Sequence, residues 1–207
     1  MKVLLINGSP NENGCTFTAL NEITTVLQDE GLQTEIYHIG KGPVEGCIDC
    51  SHCFTAMKCV FENDVVRVAA DKVKKSDGIV FGSPVYYGAV TGQMTAFMNR
   101  LFYSNRDIFL HKPGAAVVSC RRAGSTAALD QLNKYLMIQQ MLLVGSQYWA
   151  MVHGHTPDEV KQDLEGMQTM RVLGRNMAWI IKSIHAGREA GIQLPKPEEK
   201  RFWTNFI

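Results

Sequence analysis

Residues 2–16 read KVLLINGSPNENGCT, and the change from apolar to polar within them decides the fold. KVLLING is continuous and apolar, as a parallel strand buried on both faces is. GSPNENGCT is glycine and small polar residues. The following stretch, TFTALNEITTVLQDEG, sets Leu20, Ile23 and Leu27 at helical spacing, with Gly31 placed to end the helix. A buried strand, a short polar loop and an amphipathic helix make the first half of a βαβ unit.

The pattern repeats along the chain. QTEIYHIG (33–40) is a second strand. NDVVRVAADKVKKSD (63–77) is a helix with Val66, Ala69 and Val73 on one face. GIVFGSP (78–84) is a third strand, and TGQMTAFMNRLF (91–102) a helix with Met94, Phe97, Met98 and Leu101 at i, i+3, i+4 and i+7. AAVVSC (115–120) is a fourth strand, STAALDQLNKYLMIQQM (125–141) a helix, and LLVGSQYW (142–149) a fifth strand. Thr156 stands where an N-cap belongs, Pro157 at the first helical position, and Asp158 and Glu159 in the first turn of a helix expected to run to about Ile184. These alternations predict an α/β three-layer sandwich with a five-stranded parallel sheet over residues 1–190. A tail, 191–207, is expected to pack on this domain or on a partner subunit. In such sheets ligands bind outside the carboxyl ends of the strands, at the topological switch point. The loops after strands one, three and four are therefore the candidate site.

Composition narrows the function. The 207 residues carry 21 Lys and Arg against 20 Asp and Glu, a formal charge of +1, so no strong field draws nucleic acid or an anionic membrane. The apolar run at the N-terminus is too short for a secretory signal, and no run approaches the roughly 20 residues of a membrane span. Cysteines clustered in a chain of this length, with no export signal, point to a reducing cytoplasm.

The loop after strand one offers free N–H groups and a partial positive charge at a helix start, which suits a phosphate. Ser9, Asn11, Cys15, Thr16 and Thr18 can add side-chain contacts. The chain has neither G-x-x-x-x-G-K-[ST] nor G-x-G-x-x-G in this loop, which argues against a triphosphate or a tightly bound dinucleotide. The loop after strand three, with Pro84, Tyr86, Tyr87 and Gly88, can lie along a planar ring. The loop after strand four holds Arg121 and Arg122, which can meet a phosphate or polarise a heterocycle.

GSPNENGCT (8–16) resembles the phosphate loop of the flavodoxin-like NAD(P)H-dependent FMN reductases, and GSPVYYGAVTGQMTAFMNRL (82–101) resembles their flavin-ring loop and the helix after it. The resemblance covers nearly the whole chain in strand order and implies a sheet ordered 2-1-3-4-5. It places Ser9, Asn11, Cys15 and Thr16, with Phe17 and Thr18, at the FMN phosphate. It places Pro84, Val85, Tyr86, Tyr87 and Gly88 along the isoalloxazine, and Cys120, Arg121, Arg122 and Gly124 on the ring's other side. Asn11 stands where the family often has Arg, and Cys15 where it often has Asn, which weakens the phosphate grip. The implied activity is electron transfer from NAD(P)H, a transient co-substrate, through FMN to a small-molecule acceptor such as a quinone or a free flavin. No side chain is required as acid, base or nucleophile.

CIDCSHCFTAMKC (47–59) puts four of the six cysteines, Cys47, Cys50, Cys53 and Cys59, into thirteen positions as C-x2-C-x2-C-x5-C. The spacing is too compressed for two zinc knuckles and closer to the pattern that wraps one cubane cluster. The segment resembles the compact cysteine motif of the iron–sulfur flavoproteins, a branch of the same family. A [4Fe–4S] cluster, free thiols with Cys47 and Cys50 cycling to a disulfide, and zinc stand as alternatives. They carry two rival functions: an electron carrier fed by ferredoxin, and a non-enzymatic FMN- or metal-binding module. Trp149, His153 and His155 follow strand five and can reach an open flavin face from a neighbouring subunit, or sit as ordinary strand-end residues. The apolar 94–102 helix, six methionines between Met137 and Met177 and the tail RFWTNFI point to a homodimer or homotetramer.

Overall fold

A computed structural model of the chain describes residues 1–195 together with 202 and 204. The expected tail packing falls mostly on 196–201, 203 and 205–207, which lie outside the described residues. The strands are β1 (Lys2–Asn7), β2 (Gln33–His38), β3 (Gly78–Tyr86), β4 (Ala89–Val90), β5 (Pro113–Cys120), β6 (Leu142–Leu143) and β7 (Met151–His153). The helices are α1 (Cys15–Asp29), α2 (His52–Ala56), α3 (Val65–Lys74), α4 (Gly92–Ser104), α5 (Ser125–Ile138), α6 (Pro157–Gln162) and α7 (Leu164–Glu189).

The parallel sheet runs β2-β1-β3-β5-β6, the implied 2-1-3-4-5 order. In register, Leu5 of β1 faces Ile36 of β2 on one side and Val80 of β3 on the other, and Phe81 of β3 faces Ala116 of β5. Period-two alternation divides the apolar strands between two cores. Leu4, Ile6, Ile79 and Phe81 face α3, α4 and α5. Val3, Leu5 and Val80 face α1, α6 and α7. Burial of β1 on both faces is what made KVLLIN read as unbroken apolar sequence. No helix among the described residues is long and apolar enough to cross a membrane.

Three local expectations need correction. The fifth strand is not continuous over 142–149. β6 pairs with the start of β5, Pro113 opposite Leu142, and the chain then leaves the ladder. It returns as β7, with Met151 opposite Val118. Re-entry is made by the Met151 N–H donating to the Trp149 carbonyl at 2.8 Å, a three-residue turn. The helix expected from Thr156 to about Ile184 is two helices. Asp163 takes φ −73°, ψ 80° and its carboxylate accepts from the Gly166 N–H at 2.9 Å and the His153 N–H at 2.7 Å. An aspartate bonding backbone amides in this way competes with helix continuation, so α6 ends where α7 is capped. The stretch read as a loop from Pro84 is an extension of β3 into a tight hairpin with β4, Val85 opposite Val90 and Tyr86 opposite Ala89. Its two turn residues, Tyr87 (φ 52°) and Gly88 (φ 75°), both have the positive φ that a right-twisting two-residue hairpin demands.

Five of the six methionines between Met137 and Met177 are buried in the domain's own core; Met137 alone is exposed.

Candidate functional site

The three predicted loops meet at the carboxyl end of the sheet, and backbone contacts tie them together. The Gly8 N–H donates to the Gly82 carbonyl at 2.8 Å, and the Thr91 hydroxyl donates to the Gly8 carbonyl at 3.2 Å. A Cβ on Gly8 would lie 2.9 Å from that same Gly82 oxygen, so only glycine permits the approach. At the far side a Cβ on Gly124 would lie 2.7 Å from the Gly88 Cα. The third loop thus rests glycine-on-glycine against the hairpin. The Gly154 N–H donates to the Cys120 carbonyl at 3.0 Å, and the Cys15 thiol donates to the Gly154 carbonyl at 3.7 Å. Gly154, just past β7, therefore joins the first loop to the third.

Within the first loop, Asn7 and Ser9 are buried and hydrogen-bonded to the loop's own backbone. The Asn7 amide donates to the Glu12 carbonyl at 3.0 Å and accepts from the Ser9 N–H at 3.1 Å. The Ser9 hydroxyl accepts from the Asn11 N–H at 3.1 Å, and the Ser9 carbonyl sits 2.7 Å from His38 Nε2. Asn11 is exposed, Cys15, Phe17 and Thr18 half-buried. The Thr18 hydroxyl donates to the Gly14 carbonyl at 3.2 Å. Thr16 is buried with its hydroxyl 2.8 Å from the Ser119 hydroxyl of β5, a cross-link from the first loop to the fourth strand position. Sequence reading gave Ser119 no part, and nothing in its spacing marks it.

Helix α1 starts at Gly14 with no side-chain cap, and α5 starts at Gly124, also with none. By contrast α3, α4, α6 and α7 are capped by Asp64, Thr91, Thr156 and Asp163. Among the helices longer than five residues these two alone lack a side-chain cap, and both open toward the loop cluster, as the capped α4 also does. An α-helix gives its first amides no internal acceptor, so those of Cys15, Thr16 and Phe17 are offered outward. Burial pushes the Cys15 thiol up, with Glu159 adding to the effect against the backbone's own hydrogen bonding, so Cys15 is neutral at pH 7 and sets no negative charge beside those amides. Tyr87 is fully exposed and Tyr86 half-exposed, and no atom lies within 4 Å of a Cβ built on Gly88 or Gly92. Arg121 and Arg122 are exposed at the same rim, and Cys120 is buried beneath, its thiol pushed up by desolvation. The donor set, an uncapped helix start beside an open flat-sided hairpin, fits a phosphate-bearing planar cofactor. Of the more distant candidates, Trp149 and Tyr148 form an exposed aromatic pair, ring centroids 5.0 Å apart. His153 Nδ1 lies 3.5 Å from Asp163, and the His155 N–H donates to Glu159 at 2.6 Å.

A second cluster lies at the other end of α4. Cys47, Cys50, Cys53 and Cys59 all border one cavity of about 20 Å³, together with Phe61, Arg100 and Tyr103. Cys47 and Cys50 are exposed, and all four are free thiols. Among the described residues no three His, Cys, Asp or Glu side chains already stand in a metal-binding arrangement. What the structure brings together is the donor chemistry: four soft sulfurs on one cavity, which suits a thiolate-bound iron–sulfur group. The backbone is bent to do so. Asp49, Ser51 and Met57 all have φ between 51° and 57°, a conformation that costs a non-glycine residue about 1–3 kcal/mol and concentrates at functional sites.

Arg100 anchors this cluster, and sequence reading passed over it. It is 2% exposed. Its Nε–H donates to Cys59 Sγ at 3.3 Å, and its Nη1–H donates to the Glu45 carbonyl at 3.2 Å and pairs with Asp64 at 2.5 Å. Its Cζ stacks 4.7 Å from the centre of the Phe61 ring. Burial works against the charge, but the hydrogen bonds to Asp64 and Cys59 outweigh it and hold the guanidinium above its ordinary pKa. A signal was present: Arg100 is the one cation in the helical stretch MTAFMNRLF, three residues after Phe97 and so at the edge of its apolar face. Nearby, Arg106 stacks on Phe54 and Tyr103 at 4.5 and 4.9 Å. Desolvation pushes the Cys53 thiol up, with Cys47 and Cys50 adding to it and Arg106 opposing.

α4 links the two clusters. Thr91 caps it at the flavin-type loops, accepting from the Met94 N–H at 3.1 Å. Gln93 donates to the Gly42 carbonyl at 2.7 Å, holding the start of the cysteine segment. Nine residues beyond Thr91, at 1.5 Å each, Arg100 stands about 13 Å along the axis.

The comparisons agree with this geometry. The model of the NADPH-dependent FMN reductase family matches residues 1–156. An iron–sulfur flavoprotein of Methanocaldococcus jannaschii is 32% identical over 192 residues, covering 89% of this chain and 99% of that one. Another of Clostridioides difficile is 29% identical over 150 residues, covering 70% of this chain and 66% of that one. The solved structure of RosB with a bound 8-demethyl-8-formylriboflavin-5'-phosphate intermediate superposes with a TM-score of 0.70, covering 100% of this chain and 92% of that one at 13% identity. Fold, loop cluster and these matches together place the chain in the NADPH-dependent FMN reductase family, within its iron–sulfur flavoprotein branch.

Proposed function

We propose that the protein is an FMN-dependent oxidoreductase that passes electrons from NAD(P)H to a quinone, a flavin or another small acceptor. The observation that carries this reading is the uncapped start of α1 and the open Tyr87–Gly88 hairpin, both at the carboxyl end of the sheet. FMN, when bound, supplies the hydride- and electron-accepting chemistry. The chain's own residues do the rest. The amides of Cys15, Thr16 and Phe17 offer the phosphate hydrogen bonds and the positive end of a helix dipole. The neutral Cys15 thiol and the engaged Ser9 and Thr16 hydroxyls shape the loop without adding negative charge. Pro84 to Gly88 form one wall for the ring, and the Cys120 to Gly124 turn the other, fixed to it by the Gly124–Gly88 contact. Exposure of Tyr86 and Tyr87 leaves a nicotinamide room to stack.

Stopped-flow mixing of the FMN-loaded protein with NADH and with NADPH tests the donor. Bleaching of the flavin band by either nicotinamide, followed by recovery on adding a quinone, is the expected result. A flavin that dithionite reduces but neither nicotinamide does would sink the donor assignment.

The cysteine cavity favours a second reading, in which an iron–sulfur group held by Cys47, Cys50, Cys53 and Cys59 brings electrons in from ferredoxin. Iron and sulfide analysis of anaerobically reconstituted protein, with reduced ferredoxin offered as donor, separates the two.

A further inference from the structure

We propose that Arg100 is a positioning residue for the sulfur cluster, its N–H groups fixed by Asp64 so that they hydrogen-bond ligand sulfur and set the cluster's reduction potential. This rests on the reading of the four thiols as ligands. Asp64 does two things at once. One carboxylate oxygen caps α3, accepting from the Val66 N–H at 3.1 Å and the Arg67 N–H at 3.3 Å. The other pairs with Arg100 Nη1 at 2.5 Å. Because the cap is tied to the start of a helix, the guanidinium plane is held from outside the cysteine segment. Phe61 stacked 4.7 Å from Cζ and the Glu45 carbonyl at 3.2 Å remove its remaining freedom.

Two N–H edges are then left. Nε already reaches Cys59 Sγ at 3.3 Å. Nη2 is buried and has no hydrogen-bond partner among the described residues. A buried cationic donor without an acceptor destabilises the fold if it stays unpaired. The side chain that carries it lines the cavity bordered by all four thiols. Sulfur is the acceptor that this cavity supplies.

The physical consequence is directional. Hydrogen bonds to cluster sulfur and nearby positive charge both favour the more negative, reduced form, and so raise the potential. The planar guanidinium can serve Asp64, Glu45 and Cys59 together, whereas a lysine ammonium has one small head that cannot span them. Arg100→Lys keeps the charge and removes the N–H to sulfur. Asp64→Asn keeps the helix cap, since asparagine caps as well as aspartate, but turns an amide N–H donor toward Arg100 Nη1, so the anchor that aims the guanidinium at sulfur is lost. Both variants should therefore lower the potential. If the guanidinium acted only as an unaimed charge, Arg100→Lys would leave the potential unchanged and Asp64→Asn, which deletes a negative charge, would raise it.

The experiment is a dye-mediated redox titration of anaerobically reconstituted protein, followed by electron paramagnetic resonance, with iron, sulfide and FMN measured on each sample. Arg100→Lys is expected to shift the oxidised-to-reduced ratio at a given potential at least tenfold toward the oxidised form, which is 59 mV downward for one electron. Asp64→Asn is expected to shift it downward as well. A parental potential in Arg100→Lys, or a raised one in Asp64→Asn, overturns the proposal. If Arg100→Lys does not fold, Asp64→Asn decides alone, and a potential equal to or above the parent's overturns it. Absence of iron and sulfide from the reconstituted parent overturns the ligand reading itself, and is seen before any variant is made.

Discussion

Replacing Gly124 by alanine tests the contact that holds the two ring-side loops together. Gly124 has φ +87°, and a Cβ there would stand 2.7 Å from Gly88 Cα, 3.2 Å from Val85 Cγ1 and 3.3 Å from Gly88 N. Gly88 has φ +75° and nothing within 4 Å of its own Cβ position. Alanine at either site meets the left-handed penalty of about 1–2 kcal/mol. At Gly124 it also meets backbone, which cannot rotate away as a side-chain tip can, and overpacking of that kind costs about 1–3 kcal/mol more. The difference between Gly124→Ala and Gly88→Ala removes the conformational penalty common to both. Urea unfolding of the flavin-free proteins should show Gly124→Ala less stable than Gly88→Ala by about 1–3 kcal/mol. Because the same contact sets the spacing of the walls proposed for the ring, FMN fluorescence titration of Gly124→Ala should show affinity weakened about 5- to 150-fold. If the two variants unfold within about 0.5 kcal/mol of each other, the contact does not constrain the loops and the two-walled site is wrong.

Thr16→Val removes the 2.8 Å link to Ser119 and leaves a buried hydroxyl unpaired, so chemical unfolding should show a loss of about 1–3 kcal/mol; an unchanged midpoint refutes the link. Serine at Cys47, Cys50, Cys53 and Cys59 together leaves the backbone tethers of Lys41, Gly42 and Glu45 to α4, so FMN content should stay near parental while any iron and sulfide vanish; loss of FMN would show that the two sites are one. The Cys15 and Cys120 thiols are both raised by burial, so the native state keeps their protons where the unfolded chain releases them. Their contribution is full below the ordinary thiol pKa of about 8.5 and falls as pH rises through the raised values, so unfolding midpoints should drop above about pH 9 and drop less in the Cys15→Ser, Cys120→Ser double variant. Leu142 and Leu143 on the sheet edge, with Met137 and Ile138 before them, are exposed. Light scattering at micromolar concentration should accordingly give a dimer or tetramer, and a monomer with FMN bound would count against it.

Sequence alone determined the layers and the identity of the loops that face the site. Buried parallel strands must be apolar without interruption and helices must be apolar with period 3.6, and both signals are local. KVLLIN, GIVF and AAVV could be read that way because each residue's exposure follows from its own element. The split of strand five and the break at Asp163 were not legible, because each depends on which partner a backbone group finds. Leu142 and Leu143 look like core until they are seen on an edge, and Asp163 looks like one more polar helical residue until its carboxylate meets the amides of His153 and Gly166. The same division holds at the sites. The phosphate-type loop, the paired tyrosines and the four cysteines were visible as motifs. That Thr16 turns to Ser119, that Gly124 lies on Gly88, and that a buried arginine 41 residues beyond Cys59 donates to its sulfur were decided by tertiary structure. These are contacts between elements distant in the chain, and their geometry is set by packing that no local pattern of residue types encodes.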